Sequence, residues 1–587
     1  MPEITQISIY GKGGVGKSTI TTNLAICLAE AGEKPMLVGC SPKSDSTTLL
    51  LGGKPATPVV LDNIQAHGSS KAVVQECVHF GYGDVACLEA GGPPPASGCA
   101  GRGIYHTLRL LKQHNTLEEN EITYAIYDAI ADVVCGGFSL PMRKDFASTV
   151  YIVTTAEMMS LYAANNISNA ALAVNSGRPD AVQVGGLILS GRDIPAEKKI
   201  VQEFADLLGL PVIAYIPYSA VVQKAGARKG TVMEHFPESN LAEDFRDLAA
   251  QLRHPHGITP RPIPPLESLD LITDLIYKHQ ATNDAPAVRK TTLRPAVATT
   301  HANALPLRRI AIYGKAGVGK STTSSNLSAA LAAIGRKVLQ VGCDPKRDSV
   351  AQLVHCLPPT ILEQMNRQHK RNDSADNLAL EDVFFDGYNG VVCAEAGGPP
   401  PGVGCAGQGV LLALQFIEER DVITEYGIDF SLFDVLGDVV CGGFAQPIRA
   451  GYCREIYVIV NGEPLSLVVT NNILRAVEKL NREGINVGLG GLINNQSNAA
   501  VEEEIVLSYA QTVGVPIIGR IPRSPLVQAA EARRQTVMEA FPDSHVADLY
   551  RQLAQDILDN DTIHTPRAIQ DNETIFDLAA AFVPANG

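Results

Sequence analysis

The sequence lacks the features of a membrane-spanning or secreted protein. It has no run of about 18 consecutive apolar residues, the length that a membrane-spanning helix needs. Its N-terminus has neither the basic segment nor the hydrophobic core of a secretory signal peptide. We therefore expect a cytoplasmic protein with no membrane partner.

An excess of positive charge is also missing. The chain has 48 Lys and Arg residues against 62 Asp and Glu residues, which gives a formal net charge of −14. Binding to nucleic acid depends largely on basic side chains that neutralise phosphates. We therefore expect no general affinity for nucleic acid, although a local docking face for another partner stays open.

Cysteine is present, but not in the pattern of a disulfide framework. Twelve cysteines, six in each half, are spread over 587 residues. In a reducing compartment such cysteines are expected to be buried thiols, with a few metal ligands. Four of them lie in strand-like runs and are expected in the core: Cys40, Cys87, Cys343 and Cys393.

Two nearly identical glycine-rich segments organise the chain. Each satisfies the P-loop pattern G-x-x-x-x-G-K-[ST] and follows a short apolar run that predicts a buried parallel strand. In a P-loop the backbone wraps around phosphate, the lysine contacts the terminal phosphates and the hydroxyl can hold Mg²⁺. The predicted nucleotide-binding residues are Gly11, Lys12, Gly13, Gly14, Gly16, Lys17, Ser18 and Thr19 in the first segment and Gly314, Lys315, Gly317, Gly319, Lys320, Ser321 and Thr322 in the second, with Ser18 and Ser321 as the Mg²⁺ ligands.

The rest of the chain repeats in the same way. Other landmarks recur in order in the second half, which indicates two homologous domains, residues 1–280 and 307–587. Residues 281–306 are rich in Ala, Thr and Pro and are interpreted as a linker, which as a flexible coil would span roughly 25–30 Å. Alternating strand and helix patterns predict an α/β fold in each domain, a mostly parallel sheet flanked by helices with ligands at the carboxyl ends of the strands.

Further segments of each half carry residues of chemical interest. In the first half a Gly/Pro-rich loop delivers Cys99 to the start of a helix, and the strand that presents Asp128 leads into a loop with Cys135. A helix N-terminus favours the thiolate that metals need, but two cysteines this far apart are by themselves more often structural. Asp45 follows another strand, and its spacing fits an Mg²⁺ or phosphate contact as well as a cap on the next helix.

Together these segments resemble the nitrogenase iron protein (dinitrogenase reductase) family, in two tandem copies that cover essentially the whole chain except the linker. The resemblance rests on long and specific strings. In the first half they are GKGGVGKST (11–19), GCSPKSDST (39–47), GGPPPASGCAGRG (91–103), DVVCGGF (132–138) and EMMSLYAANN (157–166).

The resemblance implies one [4Fe–4S] cluster shared by two subunits that each contribute two cysteines. Four thiolates are the usual complement for such a cluster, so one fused chain would carry a full set. The two P-loop NTPase domains would then form an intramolecular pseudo-two-fold dimer. The implied cluster ligands are Cys99, Cys135, Cys405 and Cys441.

The implied activity is that of an ATP-dependent electron-transfer reductase. MgATP binding and hydrolysis would move the cluster towards a nitrogenase or nitrogenase-like catalytic partner, pass one electron and release the partner, with a ferredoxin or flavodoxin as electron donor. The residues marked by the resemblance are Lys12 and Lys315, which reach the facing subunit's nucleotide; the switch I aspartates Asp45, Asp344 and Asp348; the switch II aspartates Asp128, Asp132, Asp434 and Asp438; Asn495 and Glu531 at the nucleoside; and Arg102 at the partner-docking position.

The two halves depart unequally from the family pattern. At four positions of the nucleotide site the second half keeps the family residue and the first half does not. At the docking position the first half keeps the family residue and the second half does not. We therefore expect the two halves to have specialised. The pairs, first half against second, are Ser41 and Asp344, Ala131 and Gly437, Ser190 and Asn495, Gly226 and Glu531, and, at the docking position, Arg102 and Gln408.

Two other classes of function use the same motifs. An Fe–S or metallocofactor carrier or assembly ATPase would use the P-loops and cysteines to move a cluster or metal, and transfer of iron to an apo-protein would identify it. A ParA- or MinD-like positioning switch would have no redox chemistry, and a colourless anaerobic protein would favour it. Within the resembled family the catalytic partner stays open, because nitrogenase and the tetrapyrrole reductases of the chlorophyll and nickel-porphinoid pathways all use proteins of this kind.

Overall fold

The chain contains two α/β units, each built on its own sheet. The computed structural model describes residues 4–93, 100–129, 137–143, 145–174, 182–280, 293–298, 305–344, 347–370, 378–398, 406–435, 446–497 and 500–582. Within these ranges no helix is long and apolar enough to cross a bilayer.

The first half alternates strands and helices from its first described residues onward. Its elements are β1 (Thr5–Tyr10), α1 (Lys17–Glu30), β2 (Pro35–Cys40), α2 (Val60–His67), α3 (Lys71–Gln75), β3 (His79–Phe80), β4 (Ala86–Glu89), α4 (Ala100–Gln113), α5 (Thr116–Glu119), β5 (Tyr124–Ala129), β6 (Thr149–Thr154), α6 (Met158–Val174), β7 (Gln183–Ser190), α7 (Glu197–Leu208), β8 (Val212–Ile216), α8 (Ala220–Ala227), α9 (Val232–His235), α10 (Asn240–Leu252) and α11 (Pro265–Gln280).

The second half repeats this order. Its elements are β9 (Arg308–Gly314), α12 (Lys320–Ala333), β10 (Val338–Cys343), α13 (Ala351–Val354), α14 (Ile361–Lys370), β11 (Phe385–Asp386), β12 (Val392–Glu395), α15 (Ala406–Glu419), α16 (Val422–Glu425), β13 (Phe430–Val435), α17 (Gln446–Arg449), β14 (Glu455–Val460), α18 (Pro464–Arg482), β15 (Gly488–Ser497), α19 (Ala500–Val513), β16 (Ile517–Pro522), α20 (Pro525–Ala532), α21 (Val537–Ala540), α22 (His545–Asp559) and α23 (Asn572–Ala580).

Each half forms an eight-stranded sheet with the same strand order. The orders are β3-β4-β2-β5-β1-β6-β7-β8 and β11-β12-β10-β13-β9-β14-β15-β16. All neighbouring strands are parallel except the short edge strands β3 and β11, which run antiparallel to β4 and β12. The predicted fold class is therefore confirmed.

The strand that precedes each P-loop lies in the middle of its sheet. β1 pairs with β5 and β6, and β9 pairs with β13 and β14. Every residue of β2, β5 and β6 is buried, because helices cover both faces of the sheet, and this explains their continuous apolar runs. A central position places the P-loop and the carboxyl ends of its neighbouring strands at one edge of the sheet, where ligands bind in open α/β folds.

The described part of the linker, residues 293–298, forms backbone hydrogen bonds with the second half. The Ala296 N–H donates to the Phe384 carbonyl oxygen at 3.0 Å, and the Asp386 N–H donates to the Arg294 carbonyl oxygen at 2.8 Å. Residues 293–298 therefore extend the edge of the second sheet beside β11, and Leu293 packs on its core. The prediction of a flexible coil is wrong for these residues, because an exposed strand edge binds extended backbone whatever its composition.

Candidate functional site

The two P-loops have the backbone that a phosphate-binding loop requires. Gly11 and Gly314 have φ angles of +152° and +148°, and a Cβ atom added to either would lie within 2.4 Å of a carbonyl oxygen on the next strand. Gly16 and Gly319 adopt left-handed conformations directly before α1 and α12, and neither helix has a side-chain cap. The first N–H groups of both helices can therefore bind an anion.

In the first half the P-loop serine contacts a buried carboxylate. The Ser18 hydroxyl donates to Asp128 Oδ2 at 2.7 Å, and Asp128 is buried at the end of β5. Burial raises the pKa of Asp128 above its ordinary value, while the Lys17 ammonium and the Ser18 hydroxyl oppose that rise. The other carboxylate oxygen, Oδ1, is buried without a hydrogen-bond partner among the described residues.

In the second half the corresponding carboxylate, that of Asp434, has fewer hydrogen-bond partners among the described residues. Asp434 is buried at the end of β13, and both of its oxygens lack a hydrogen-bond partner among the described residues. Burial raises the pKa of Asp434, although Lys320, Ser349 and Ser321 lie close enough to oppose the rise. Buried carboxylate oxygens beside a P-loop hydroxyl are the ligand set that Mg²⁺ prefers, so both sites fit MgATP.

A second buried acid holds the segment that follows Asp45 or Asp348. Glu89 Oε1 accepts from the Thr47 N–H at 2.7 Å and from the Thr47 hydroxyl at 2.9 Å, and Glu395 Oε1 accepts from the Val350 N–H at 2.9 Å. Burial raises the pKa of Glu89 to about 8 and that of Glu395 in the same direction. The sequence interpretation missed both residues, because a lone Glu at the end of an apolar strand reveals no partner.

The predicted switch I residues Asp45 and Asp348 lie in the loops that follow β2 and β10. The residues after Asp45 form turns rather than a helix, and the short helix α13 is preceded by Val350 rather than by Asp348. The alternative in which Asp45 caps the next helix is therefore wrong. Asp344 is buried beside the second P-loop region, where the first half has the equally buried Ser41.

The two P-loops face each other across the boundary between the halves. A Cβ atom added to Gly317 would lie 3.3 Å from the Gly13 carbonyl oxygen, and one added to Gly14 would lie 3.6 Å from the Ala316 carbonyl oxygen. Lys229 of the first half forms an ion pair with Asp577 of the second at 2.7 Å. The structure thus brings both predicted nucleotide sites to one interface within the chain.

Charged side chains from both halves surround this contact. Lys315 pairs with Glu463 at 2.8 Å, and the Lys315 ammonium, followed by the Arg192 guanidinium of the first half, lowers the pKa of Glu463. Arg192 Nη2 also donates to the Gly14 carbonyl oxygen at 2.7 Å. The sequence interpretation missed Arg192 and Glu463, since nothing in the local pattern places either of them beside a P-loop.

The predicted nucleoside end carries Asn495 and Glu531 in the second half, where the first half has Ser190 and Gly226. The Thr322 hydroxyl donates to Glu531 Oε1 at 2.6 Å, and Asn495 Nδ2 donates to the Val318 carbonyl oxygen at 2.6 Å. Burial raises the pKa of Glu531, and the Thr322 hydroxyl and the Lys12 ammonium of the first half oppose that rise. At Gly226, the counterpart of Glu531, an added Cβ would meet no atom within 4 Å.

The four predicted cluster cysteines lie outside the described residues, as do Asp132 and Asp438. The residues that follow two of them nevertheless meet. A Cβ atom added to Gly101 would lie 2.5 Å from Gly137 Cα, and these glycines come two positions after Cys99 and Cys135. Helices α4 and α15 begin directly after Cys99 and Cys405. This close approach brings together the segments that follow Cys99 and Cys135, which the cysteine spacing alone could not predict.

The predicted docking residue is accessible. Arg102 is exposed on the first turn of α4, and its counterpart Gln408 is exposed on the first turn of α15. Both follow the Gly/Pro-rich loops that carry Cys99 and Cys405. An arginine is therefore available beside the proposed cluster region in the first half, and an uncharged amide in the second.

Comparison with known proteins shows the same division of the chain into two similar halves. The profile of the "4Fe-4S iron sulfur cluster binding proteins, NifH/frxC family" matches residues 5–278 and again residues 308–583. A curated nitrogenase iron protein from Methanospirillum hungatei is 47% identical over 280 residues, which are 47% of this chain and 97% of that protein. One such relative therefore corresponds to one half of this chain.

Solved structures of P-loop ATPases are also similar to one half. The cell division ATPase MinD from Pyrococcus furiosus is 22% identical with a TM-score of 0.32, covering 43% of this chain and 98% of its own. A ParA family ATPase from Chlorobium tepidum is 20% identical with a TM-score of 0.34, covering 42% of this chain and all of its own, 100%.

Proposed function

The chain belongs to the NifH/frxC family of 4Fe-4S iron sulfur cluster binding proteins, and we propose that it is a single-chain, ATP-dependent electron-transfer reductase. In this proposal residues 1–280 and 307–587 form an intramolecular pseudo-dimer that shares one [4Fe–4S] cluster. The reductase passes low-potential electrons to a nitrogenase or nitrogenase-like catalytic component and receives them from a ferredoxin or flavodoxin.

The apposition of the two P-loops is the observation that carries this proposal. Gly13 and Gly14 lie against Ala316 and Gly317, so two nucleotides would bind at one interface between the halves. Each nucleotide would then contact residues of both halves. A change at either phosphate could therefore alter how the two halves pack against each other. A family member built from two separate subunits would need to dimerise to reach this arrangement, whereas this chain holds it covalently.

The P-loop residues of both halves define how nucleotide binding would work. The P-loop N–H groups and the N-termini of α1 and α12 bind phosphate, and Lys17 and Lys320 neutralise it. Ser18 with Asp128, and Ser321 with Asp434, would hold Mg²⁺. Loss of the γ-phosphate would remove negative charge from the bound nucleotide and so release the segments that these side chains fix.

The same aspartates would connect the nucleotide to the cluster. Asp128 and Cys135 lie on one short stretch of chain, and Asp434 and Cys441 lie on its counterpart. Cys99, Cys135, Cys405 and Cys441 would hold the cluster, which would supply one-electron redox chemistry when bound. The close approach of Gly101 to Gly137 supports the proposal that Cys99 and Cys135 bind the same cluster.

ATP-coupled oxidation by a catalytic component tests the proposal. Anaerobically reduced protein is mixed in a stopped-flow instrument with a nitrogenase-like catalytic component, and the cluster absorbance is followed. We expect rapid oxidation that requires both the component and MgATP and that MgADP does not support.

The matched control is the double variant Lys17→Ala/Lys320→Ala, which should keep its iron and lose the ATP-dependent step. Oxidation of equal rate without ATP would contradict the proposal. Transfer of iron to an apo-protein without oxidation would replace it by the carrier or assembly function.

A further inference from the structure

The two lysines at the P-loop contact have different partners. Lys315 is held by Glu463 of its own half at 2.8 Å, with the Lys315 side chain 19% exposed. Lys12, at the equivalent position of the first half, forms no ion pair with any residue that the structure describes, and its charge acts on Glu531 of the opposite half. Lys315 is therefore paired within its own half, whereas Lys12 has no such ion pair and is near enough to Glu531 of the opposite half to act on its charge.

The local sequence explains part of the difference. Glu157 is the counterpart of Glu463, and its carboxylate accepts a hydrogen bond from the Thr155 hydroxyl at 3.1 Å. In the second half Asn461 replaces Thr155, and its side-chain oxygen accepts from the Glu463 N–H at 3.4 Å. Glu531 has no carboxylate counterpart either, because the first half has Gly226 there. Lys315 thus has the carboxylate of Glu463 in its own half. Across the interface it has no carboxylate that corresponds to Glu531, because the first half has Gly226 at that position.

We propose that Glu463 is a latch that keeps Lys315 away from the nucleotide of the first half, so that the two nucleotide sites of one chain are unequal. Lys12 completes the second-half site without hindrance. The first-half site gains its cross-reaching lysine only when the Lys315–Glu463 pair opens. This inference rests on the proposed function, because it assumes that both P-loops bind MgATP at the shared interface.

Arg192 is the residue best placed to work against the latch. Its guanidinium contacts the Gly14 carbonyl oxygen of the first P-loop and lies close enough to Glu463 to act on that carboxylate. Its counterpart in the second half is Ser497, so no equivalent cation acts on Glu157. Closer approach of the halves would bring Arg192 nearer to Glu463 and let it replace Lys315 as partner.

Releasing the latch should raise hydrolysis at the first-half site. The Glu463 side chain is 58% exposed, so the pair is weak and its loss is expected to change the rate by roughly two- to fivefold. The test uses Lys320→Ala as background, because this substitution disables phosphate binding in the second half. Single-turnover phosphate release should be two- to fivefold faster in Lys320→Ala/Glu463→Gln than in Lys320→Ala.

Two further variants make the result specific. Lys320→Ala/Glu157→Gln removes the matching charge from the first half and should not accelerate release. Adding Lys315→Ala to Lys320→Ala/Glu463→Gln should abolish the gain, because the gain acts through Lys315. Each variant is compared at equal iron content and equal circular dichroism.

Three results would overturn the latch: no acceleration in Glu463→Gln, equal acceleration in Glu157→Gln, or a gain that survives the loss of Lys315. The redox proposal is judged separately, by iron content and ATP-coupled oxidation of the unmodified protein. A failure of the latch with intact coupled oxidation therefore removes this inference alone.

Discussion

Lys320→Ala is expected to slow ATP hydrolysis far more than Lys17→Ala. Each substitution removes the lysine that contacts the terminal phosphates, but only the second-half site keeps Asn495 on the P-loop and Glu531 on Thr322. It also keeps Asp344, where the first half has Ser41. Loss of one charge-assisted hydrogen bond costs about 1.5–3 kcal/mol, so the first-half site should be about 10- to 100-fold slower or weaker.

Single-turnover phosphate release, measured on both variants at equal cluster colour, tests this asymmetry. The first half retains Lys17, Ser18 and Asp128, so nucleotide binding without matched hydrolysis is expected there. Intact hydrolysis in Lys320→Ala with none in Lys17→Ala would reverse the assignment of the active half. Similar partial losses would mean that the two sites are equivalent despite their different residues.

Arg102→Ala is expected to weaken the complex with the catalytic component by about 2–5 kcal/mol, or roughly 30- to several-thousand-fold in Kd. The effect is large if the guanidinium is paired and desolvated in the complex, since its removal leaves an unpaired charge on the partner. Arg102 is exposed in the free chain, so its loss should not disturb the fold. Binding is measured anaerobically with the component that oxidises the protein, in the presence of ADP and aluminium fluoride.

Gln408→Ala is the matched control for the docking surface. Gln408 occupies the same turn of α15 that Arg102 occupies on α4, but it carries no charge. Its substitution should weaken the complex much less. Equal losses from the two substitutions would mean that the docking surface is not polarised between the halves.

Much of the fold could be predicted because its signals are local. The apolar runs before the two P-loops predicted buried parallel strands, and β1 and β9 each lie between parallel neighbours in the middle of a sheet. Helix α1 begins at Lys17, directly after the left-handed Gly16 of the P-loop. Gly32 follows that helix with a φ of +88°, as a helix-ending glycine should.

The contacts that distinguish the two halves could not be predicted in this way. Arg192 meets Gly14, and Lys12 acts on Glu531, across large separations in sequence. The docking of residues 293–298 on β11 likewise depends on backbone hydrogen bonds and not on side-chain type. Such contacts join residues that are far apart in sequence, so the periodicity within one segment does not predict them.

The central claim is that one chain is a complete reductase with a single shared cluster. Native mass spectrometry of the anaerobically purified protein tests it most directly, because one spectrum gives both the number of chains and the mass of the bound cluster. The account predicts one 62.4 kDa chain carrying one [4Fe–4S] cluster. Two chains that share a single cluster, or a chain that carries no cluster under anaerobic conditions, would contradict it.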